Sequence, residues 1–429
     1  MMRWGFIILI LSTIACSPVS KATLNKKFRS IETKIQNHTG FMLYDPRQKK
    51  ELYSFQSTQY FTPASNTKIF TFLTGLTVLG DSVPALKFIE KGDSLIFKGT
   101  GDPSFLYKYA FDSRAAFNFL SNSSKQLYLS TGNFFTTELG PGWAWSDYQY
   151  AYSSERSAFP IGGNFASVAY NGRSLKIAPQ IFSSGIEVKD SLDETEVIRG
   201  IGSNRMAFHP GKNYKSSEQW EIPFKTSPQI AAQLLSDTLK KKIGTIENIS
   251  WALAKTVYSI PADSLYKVMM QQSDNFIAEQ LLLMCADALS DSLKPEIAIE
   301  YMKLNYLNDL PDKPIWVDGS GLSRYNLFTP RSIVKLWEKI YEKVPQERLF
   351  QVLAIGGRAG TIKNLYKNDP PYIYGKTGTL SNNHSLSGYL VTKKGRTLIF
   401  SFMSNNHPAP ASTVHKELEI VLKQIYTNY

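Results

Sequence analysis

The chain has 429 residues, 43% of them hydrophobic and 20% charged, a balance that excludes an intrinsically disordered chain and a membrane-embedded one. That length exceeds one ordinary core and predicts two or more domains. The formal charge of +12 is spread along the chain, with Lys240-Lys241-Lys242 among its longest runs and no nucleic-acid motif beside them. No nucleic-acid partner is therefore expected; the basic surface suits anionic wall or membrane surfaces, or plain solvation.

Residues 1–20 read as an export signal: Arg3 supplies a positive start, 6–11 an apolar run and 12–15 a small-residue approach to Cys16. The apolar run is far shorter than the roughly 20 residues a spanning helix needs. Cys16 follows Thr13-Ile14-Ala15 and resembles a bacterial lipoprotein cleavage site, although Thr13 stands where Leu is usual. Lipidation of Cys16 with membrane attachment is thus one expectation, and simple cleavage with a soluble product the other. Either places the chain outside the cytoplasm, in the bacterial periplasm or outer cell envelope. With only Cys16 and Cys285, a chain whose Cys16 is lipidated or removed can form no internal disulfide. Cys285 lies in an apolar helical run and reads as core.

Next in order, 23–36 has helical spacing, and 40–44 and 51–55 read as strands joined by a polar turn. Residues 65–79, entered at Thr62-Pro63 and closed by Gly80, predict a helix that is apolar nearly all round and so belongs inside a domain. From about 86 to 258 short strand-like runs (94–98, 126–130, 174–178, 194–199) alternate with turns, without a clear long helix until 228–239. Helices return at 263–272, 275–288, 294–305 and 330–342, followed by a hairpin around 393–396 and a closing amphipathic helix at 411–426. The pattern is one domain split in sequence, 21–85 and 259–429, interrupted by a β-rich insertion of one or two subdomains at 86–258.

Three polar motifs sit on these elements: Ser65-Asn66-Thr67-Lys68, Ser273-Asp274-Asn275 and Lys376-Thr377-Gly378. Each alone is weak, since S-x-x-K recurs at Ser264 and Ser332, and each has an ordinary reading as a helix start, a helix cap or a turn. Their order, spacing and setting carry the signal. Serine attacks poorly unless a base takes its proton. On a helix Lys68 would lie one turn from Ser65, and burial with a second cation, Lys376, would lower its pKa enough for it to be that base. Ser273 at a helix junction could relay a proton to the leaving group, and Asn275 could hold a substrate carbonyl or Lys68. Lys376 with the Thr377 and Thr379 hydroxyls suits a terminal carboxylate, on a strand edge where Gly378 lets substrate backbone lie close. The backbone N–H groups of Ser65 and Thr379 would form the oxyanion hole. The five histidines have no ligand spacing, no phosphate loop is present, and neither metal nor other cofactor is expected.

With these motifs the chain resembles the D-alanyl-D-alanine carboxypeptidase/endopeptidases of the class C low-molecular-mass penicillin-binding proteins. Phe61-Thr62-Pro63-Ala64, Gly99-Thr100-Gly101-Asp102-Pro103 and Asp318-Gly319-Ser320-Gly321-Leu322-Ser323-Arg324 are similar to family segments. The resemblance implies an α+β fold: a penicillin-binding/serine β-lactamase-like domain, with an antiparallel sheet between helical layers, carrying a β-rich inserted domain. It also implies peptidoglycan peptides as substrate and β-lactam antibiotics as acylating inhibitors. Arg324 would help recognise the stem peptide. Gly142-Trp143-Ala144-Trp145-Ser146-Asp147 is similar to a family segment that brings Asp147 to the amino end of a diamino acid, with Tyr152 where the family can use another aromatic. Two rivals remain: a serine β-lactamase, which would need a deacylating base that no E-x-x-L-N pattern supplies, and a catalytically idle wall-binding protein of the same fold.

Overall fold

The computed structural model describes residues 19–212 and 218–429. Cys16 and nearly all of the expected export signal lie outside the described residues. Among these residues no helix is long and apolar enough to cross a membrane.

One sheet has six strands, in the order Ala354–Ile355, Ile373–Leu380, Asn383–Val391, Thr397–Asn405, His38–Asp45 and Lys50–Phe55, every neighbouring pair antiparallel. Its strands join the start of the chain to its end. Thr397–Asn405 is buried at all nine positions because both faces are covered. Leu398, Phe400 and Phe402 pack with Phe28 and Ile31 of helix Lys21–Ile35 and with Leu418 and Val421 of helix Ala411–Asn428. Ile399 and Met403, on the other face, join Phe70, Ile277, Leu281 and Trp337 from the helices Lys68–Val78, Asn275–Ser290 and Pro330–Lys343. Period-two alternation thus feeds two cores, each such side chain contributing about 1.5–3 kcal/mol on burial.

The insertion builds a third core, of its own, from three sheets. The largest runs Ile243–Ile246, Gln126–Ser130, Ser94–Gly99, Ser82–Lys91, Lys255–Pro261. Gln126–Ser130 is parallel to both its neighbours. Parallel pairing needs crossovers, which the helices Ala115–Asn122 and Pro228–Leu239 supply. The eight-residue helix Ala115–Asn122 escapes the sequence reading because it is short and its entry, at Arg114, has no side-chain cap. The expected boundaries at 86 and 258 fall inside two strands that pair with each other, Ser82–Lys91 and Lys255–Pro261. The insertion therefore leaves and returns side by side, a few residues outside those positions.

Candidate active site

The helix expected from 65 begins as a 3-10 turn, Ala64–Thr67, and becomes α-helical only at Lys68. Ala64 has a φ of 49°, a left-handed conformation that disfavours side chains. Two glycines hold that turn. A Cβ at Gly321 would come within 2.0 Å of the Ala64 carbonyl oxygen, and one at Gly378 within 2.5 Å of the Pro63 oxygen and 2.9 Å of the Ser65 nitrogen. The sequence assigned the space over Gly378 to substrate; the chain's own nucleophile turn occupies it.

Lys68 is fully buried and donates to three acceptors: Ser65 Oγ at 2.9 Å, Asn275 Oδ1 at 2.6 Å and the Ser320 carbonyl at 2.7 Å. Only one of those acceptors can also donate. The Ser320 oxygen is a carbonyl, and Asn275 presents its oxygen because its Nδ2 donates to the Tyr152 carbonyl at 3.0 Å. When Lys68 loses a proton, its two remaining hydrogens stay with Asn275 and Ser320. Its lone pair then faces the Ser65 hydroxyl, the arrangement a general base needs. Burial, partly offset by the charges of Asp318, Asp274 and Glu279, brings the Lys68 pKa down to about 8.

Lys376 Nζ donates to Ser273 Oγ at 2.8 Å and to the Thr377 carbonyl at 2.7 Å. Burial, and then the Lys68 charge, hold its pKa well below the ordinary lysine range. Burial, rather than the expected Lys376 cation, is what lowers Lys68. Lys376–Thr379 lies on Ile373–Leu380, whose outer neighbour Ala354–Ile355 pairs only with Gly375 and Tyr374, so the motif has an edge that this neighbour does not cover. The Thr377 hydroxyl pairs with that of Thr361 at 2.7 Å, and the exposed Thr379 shares a hydrogen with His384 Nδ1 at 3.0 Å.

Ser273 has a φ of 62° and accepts from Lys376, and Asp274 caps the helix Asn275–Ser290 by accepting from the Ile277 N–H at 2.8 Å. Asp147 and Tyr152 meet, the Tyr152 hydroxyl donating to Asp147 at 3.1 Å; Tyr152 also stacks on Tyr150. Arg324 is exposed, and its backbone N–H reaches the Gly142 carbonyl at 3.4 Å.

Sequence reasoning missed the groups that hold these side chains. Asp318 accepts from the N–H groups of Gly321 and Ser323, from Asn326 and from the Trp143 indole, folding the loop that presents the Ser320 carbonyl to Lys68. Tyr107 donates to Asp274 at 2.8 Å. Glu279 accepts from the Ser320 N–H at 2.7 Å. Asp318 carried a signal as the first residue of the Asp318–Arg324 segment, and Glu279 carried one because it stands four residues after Asn275 and so on the same helix face.

A family model described as D-Ala-D-Ala carboxypeptidase 3 (S13) matches residues 22–425. The penicillin-sensitive carboxypeptidase A of Dictyostelium discoideum is 24% identical over 423 residues, covering 83% of this chain and 80% of that protein. The D-alanyl-D-alanine carboxypeptidase DacB of Haemophilus influenzae is 24% identical over 425 residues, covering 86% of each. The crystal structure of penicillin binding protein 4 (dacB) from Haemophilus influenzae superposes with a TM-score of 0.75 at 21% identity, covering 93% of this chain and 99% of that one, a likeness of fold.

Proposed function

This chain belongs to the D-Ala-D-Ala carboxypeptidase 3 (S13) family, and on that premise we propose that it is a serine D-Ala-D-Ala carboxypeptidase and DD-endopeptidase that cuts peptidoglycan stem peptides through an acyl-enzyme on Ser65. The α+β architecture, with an antiparallel sheet between helical layers, is that of the penicillin-binding fold. The observation that carries the mechanism is Lys68, whose lone pair has one hydroxyl to face, that of Ser65.

Lys68 takes the Ser65 proton as Oγ bonds to the carbonyl carbon between two D-alanines. The Ser65 and Thr379 N–H groups hold the developing oxyanion, each donor worth about 3 kcal/mol. The C–N bond then breaks, and the departing amine receives the proton by way of Ser273. Water cleaves the ester and frees Ser65. Lys376, Thr377 and Thr379 hold the terminal carboxylate, whose charge favours the protonated form of Lys376. Asp147, Tyr152 and Arg324 receive the side chain and backbone of the stem peptide.

Penicillins acylate Ser65 by the same route, in keeping with the penicillin-sensitive name of the Dictyostelium relative. Labelled penicillin is expected to add one covalent group to the protein and none to Ser65→Ala; an adduct that survives that substitution moves the nucleophile elsewhere. Free D-alanine released from purified wall measures carboxypeptidase action, and loss of cross-linked fragments measures endopeptidase action. An enzyme of this family works in the cell envelope. Attachment there through a lipidated Cys16 is part of the proposal, and fatty-acid labelling that persists in Cys16→Ala removes it.

A further inference from the structure

Among the described residues, one ion pair between the insertion and the catalytic helix is buried on both sides. Arg156, from the insertion, is 2% exposed and Glu279, on helix Asn275–Ser290, is 1% exposed. Arg156 Nη1 meets Glu279 Oε2 at 3.3 Å. The rest of the guanidinium is tied down within the insertion: Nε and Nη2 donate to the Thr137 carbonyl at 3.2 and 2.8 Å, and Nη2 also to Thr136 Oγ1 and the Leu139 carbonyl, both at 3.3 Å. The other carboxylate oxygen of Glu279 accepts the Ser320 N–H at 2.7 Å, and the carbonyl of the same Ser320 accepts from Lys68 at 2.7 Å.

We propose that Arg156 and Glu279 are positioning residues through which the inserted domain sets where the Lys68 amine sits and how readily it gives up its proton. This rests on the reading of Lys68 as the base for Ser65. The route is short: a guanidinium fixed by carbonyls, a carboxylate, the backbone N–H and carbonyl of one residue, Ser320, then the amine. Burial tends to keep a carboxyl protonated, and the Asp318 charge pushes Glu279 further that way; Arg156, and after it Ser320, oppose both. Even with Arg156 in place burial raises the Glu279 carboxyl to about 7, so it is charged in the range near 8 where Lys68 titrates and there, alongside Asp318 and Asp274, helps keep a proton on Lys68. The cation on the far side of the pocket, Lys376, is pushed toward neutrality by burial. A pair that merely pins two domains together would affect stability and leave the proton affinity of Lys68 alone.

The test is the pH dependence of penicillin acylation of the full-length protein, read by stopped flow, with mass spectrometry placing the adduct. Glu279→Gln removes a negative charge near Lys68, so the acid limb of the rate profile is expected to move to lower pH by about half a unit or more. Arg156→Lys keeps the charge and is expected to keep the wild-type limb. Should Glu279→Gln fail to fold, the double variant Arg156→Met/Glu279→Gln removes both charges together, a change that buried ion pairs tolerate better than loss of one partner; the same downward shift is expected. An unmoved acid limb in the variant that folds, whatever its melting temperature, overturns the proposal. If the wild-type adduct is on a residue other than Ser65, it is the catalytic reading that has failed.

Discussion

The Ala64 carbonyl oxygen lies against Gly321 so closely that a methyl group there would sit 2.0 Å away. Gly321 also has a φ of 84°, a conformation that costs a residue with a side chain about 1–2 kcal/mol. The backbone of the nucleophile turn is therefore held by a loop more than two hundred residues further along the chain.

Gly321→Ala is expected to push the Ala64–Thr67 turn out of register. Acylation by penicillin should slow at least tenfold, with a fall in melting temperature too small to unfold the protein. Stopped-flow labelling and calorimetry together check this, and an unchanged acylation rate would count against the clamp.

Acylation should rise with pH as Lys68 loses its proton, with a midpoint near 8 in the free enzyme. The sign follows from its role: a base works only when unprotonated, so activity appears above that pH and fades below it. A profile of penicillin acylation between pH 6 and 10 measures the midpoint, and a rate that falls across this range contradicts the assignment.

The same depressed pKa has a consequence for stability. Between about 8 and the ordinary 10.5 the unfolded chain holds the Lys68 proton and the folded chain does not, so stability rises with pH there. Wild type is expected to gain stability from pH 8 to 9.5 relative to Lys68→Met, by up to about 2 kcal/mol. Denaturant melts of both proteins across that window give the difference directly; parallel curves would refute it.

Lys376→Ala should weaken kcat/KM for peptides ending in a free carboxylate by roughly 30-fold or more, as for loss of a hydrogen bond to a charged group. The same peptides with an amidated end should lose much less. Equal losses on both would show that Lys376 acts on Ser273 alone.

Asp147 is only half-buried, so an ion pair made there should be weak. Asp147→Asn is expected to lower kcat/KM about threefold for stem peptides with a free side-chain amine, and to leave peptides with that amine acetylated unchanged. A loss shared by both substrates would reassign Asp147 to holding Tyr152.

Much of this was open to reading in the chain itself. Helix Pro228–Leu239 has Ser227 as its cap and proline at its first turn, so its start was legible. The motif residues carry their chemistry in their side chains and were visible for that reason. What stayed hidden depends on long-range contact. The Ser320 carbonyl is a backbone group, which no motif announces. Asp318 looks like a loop aspartate until four donors converge on it. Gly378 looked like room for a ligand because a sequence does not say which neighbour, substrate or chain, comes near a missing side chain. The Ala115–Asn122 helix was lost to its brevity.

The strands that open and close the insertion run next to each other, and just outside them the Ala262 N–H donates to the Asp81 carbonyl at 2.9 Å. A bond between those two positions would excise the whole module without stretching the remainder, so a single gene rearrangement could add or delete it. Yet the truncated enzyme would expose a helix flank shaped to be covered, with Asn275 free to rotate its amide and offer the wrong atom to the lysine. The ends of the module are thus easy to rejoin, while its loss would reach the base of Ser65 through Asn275.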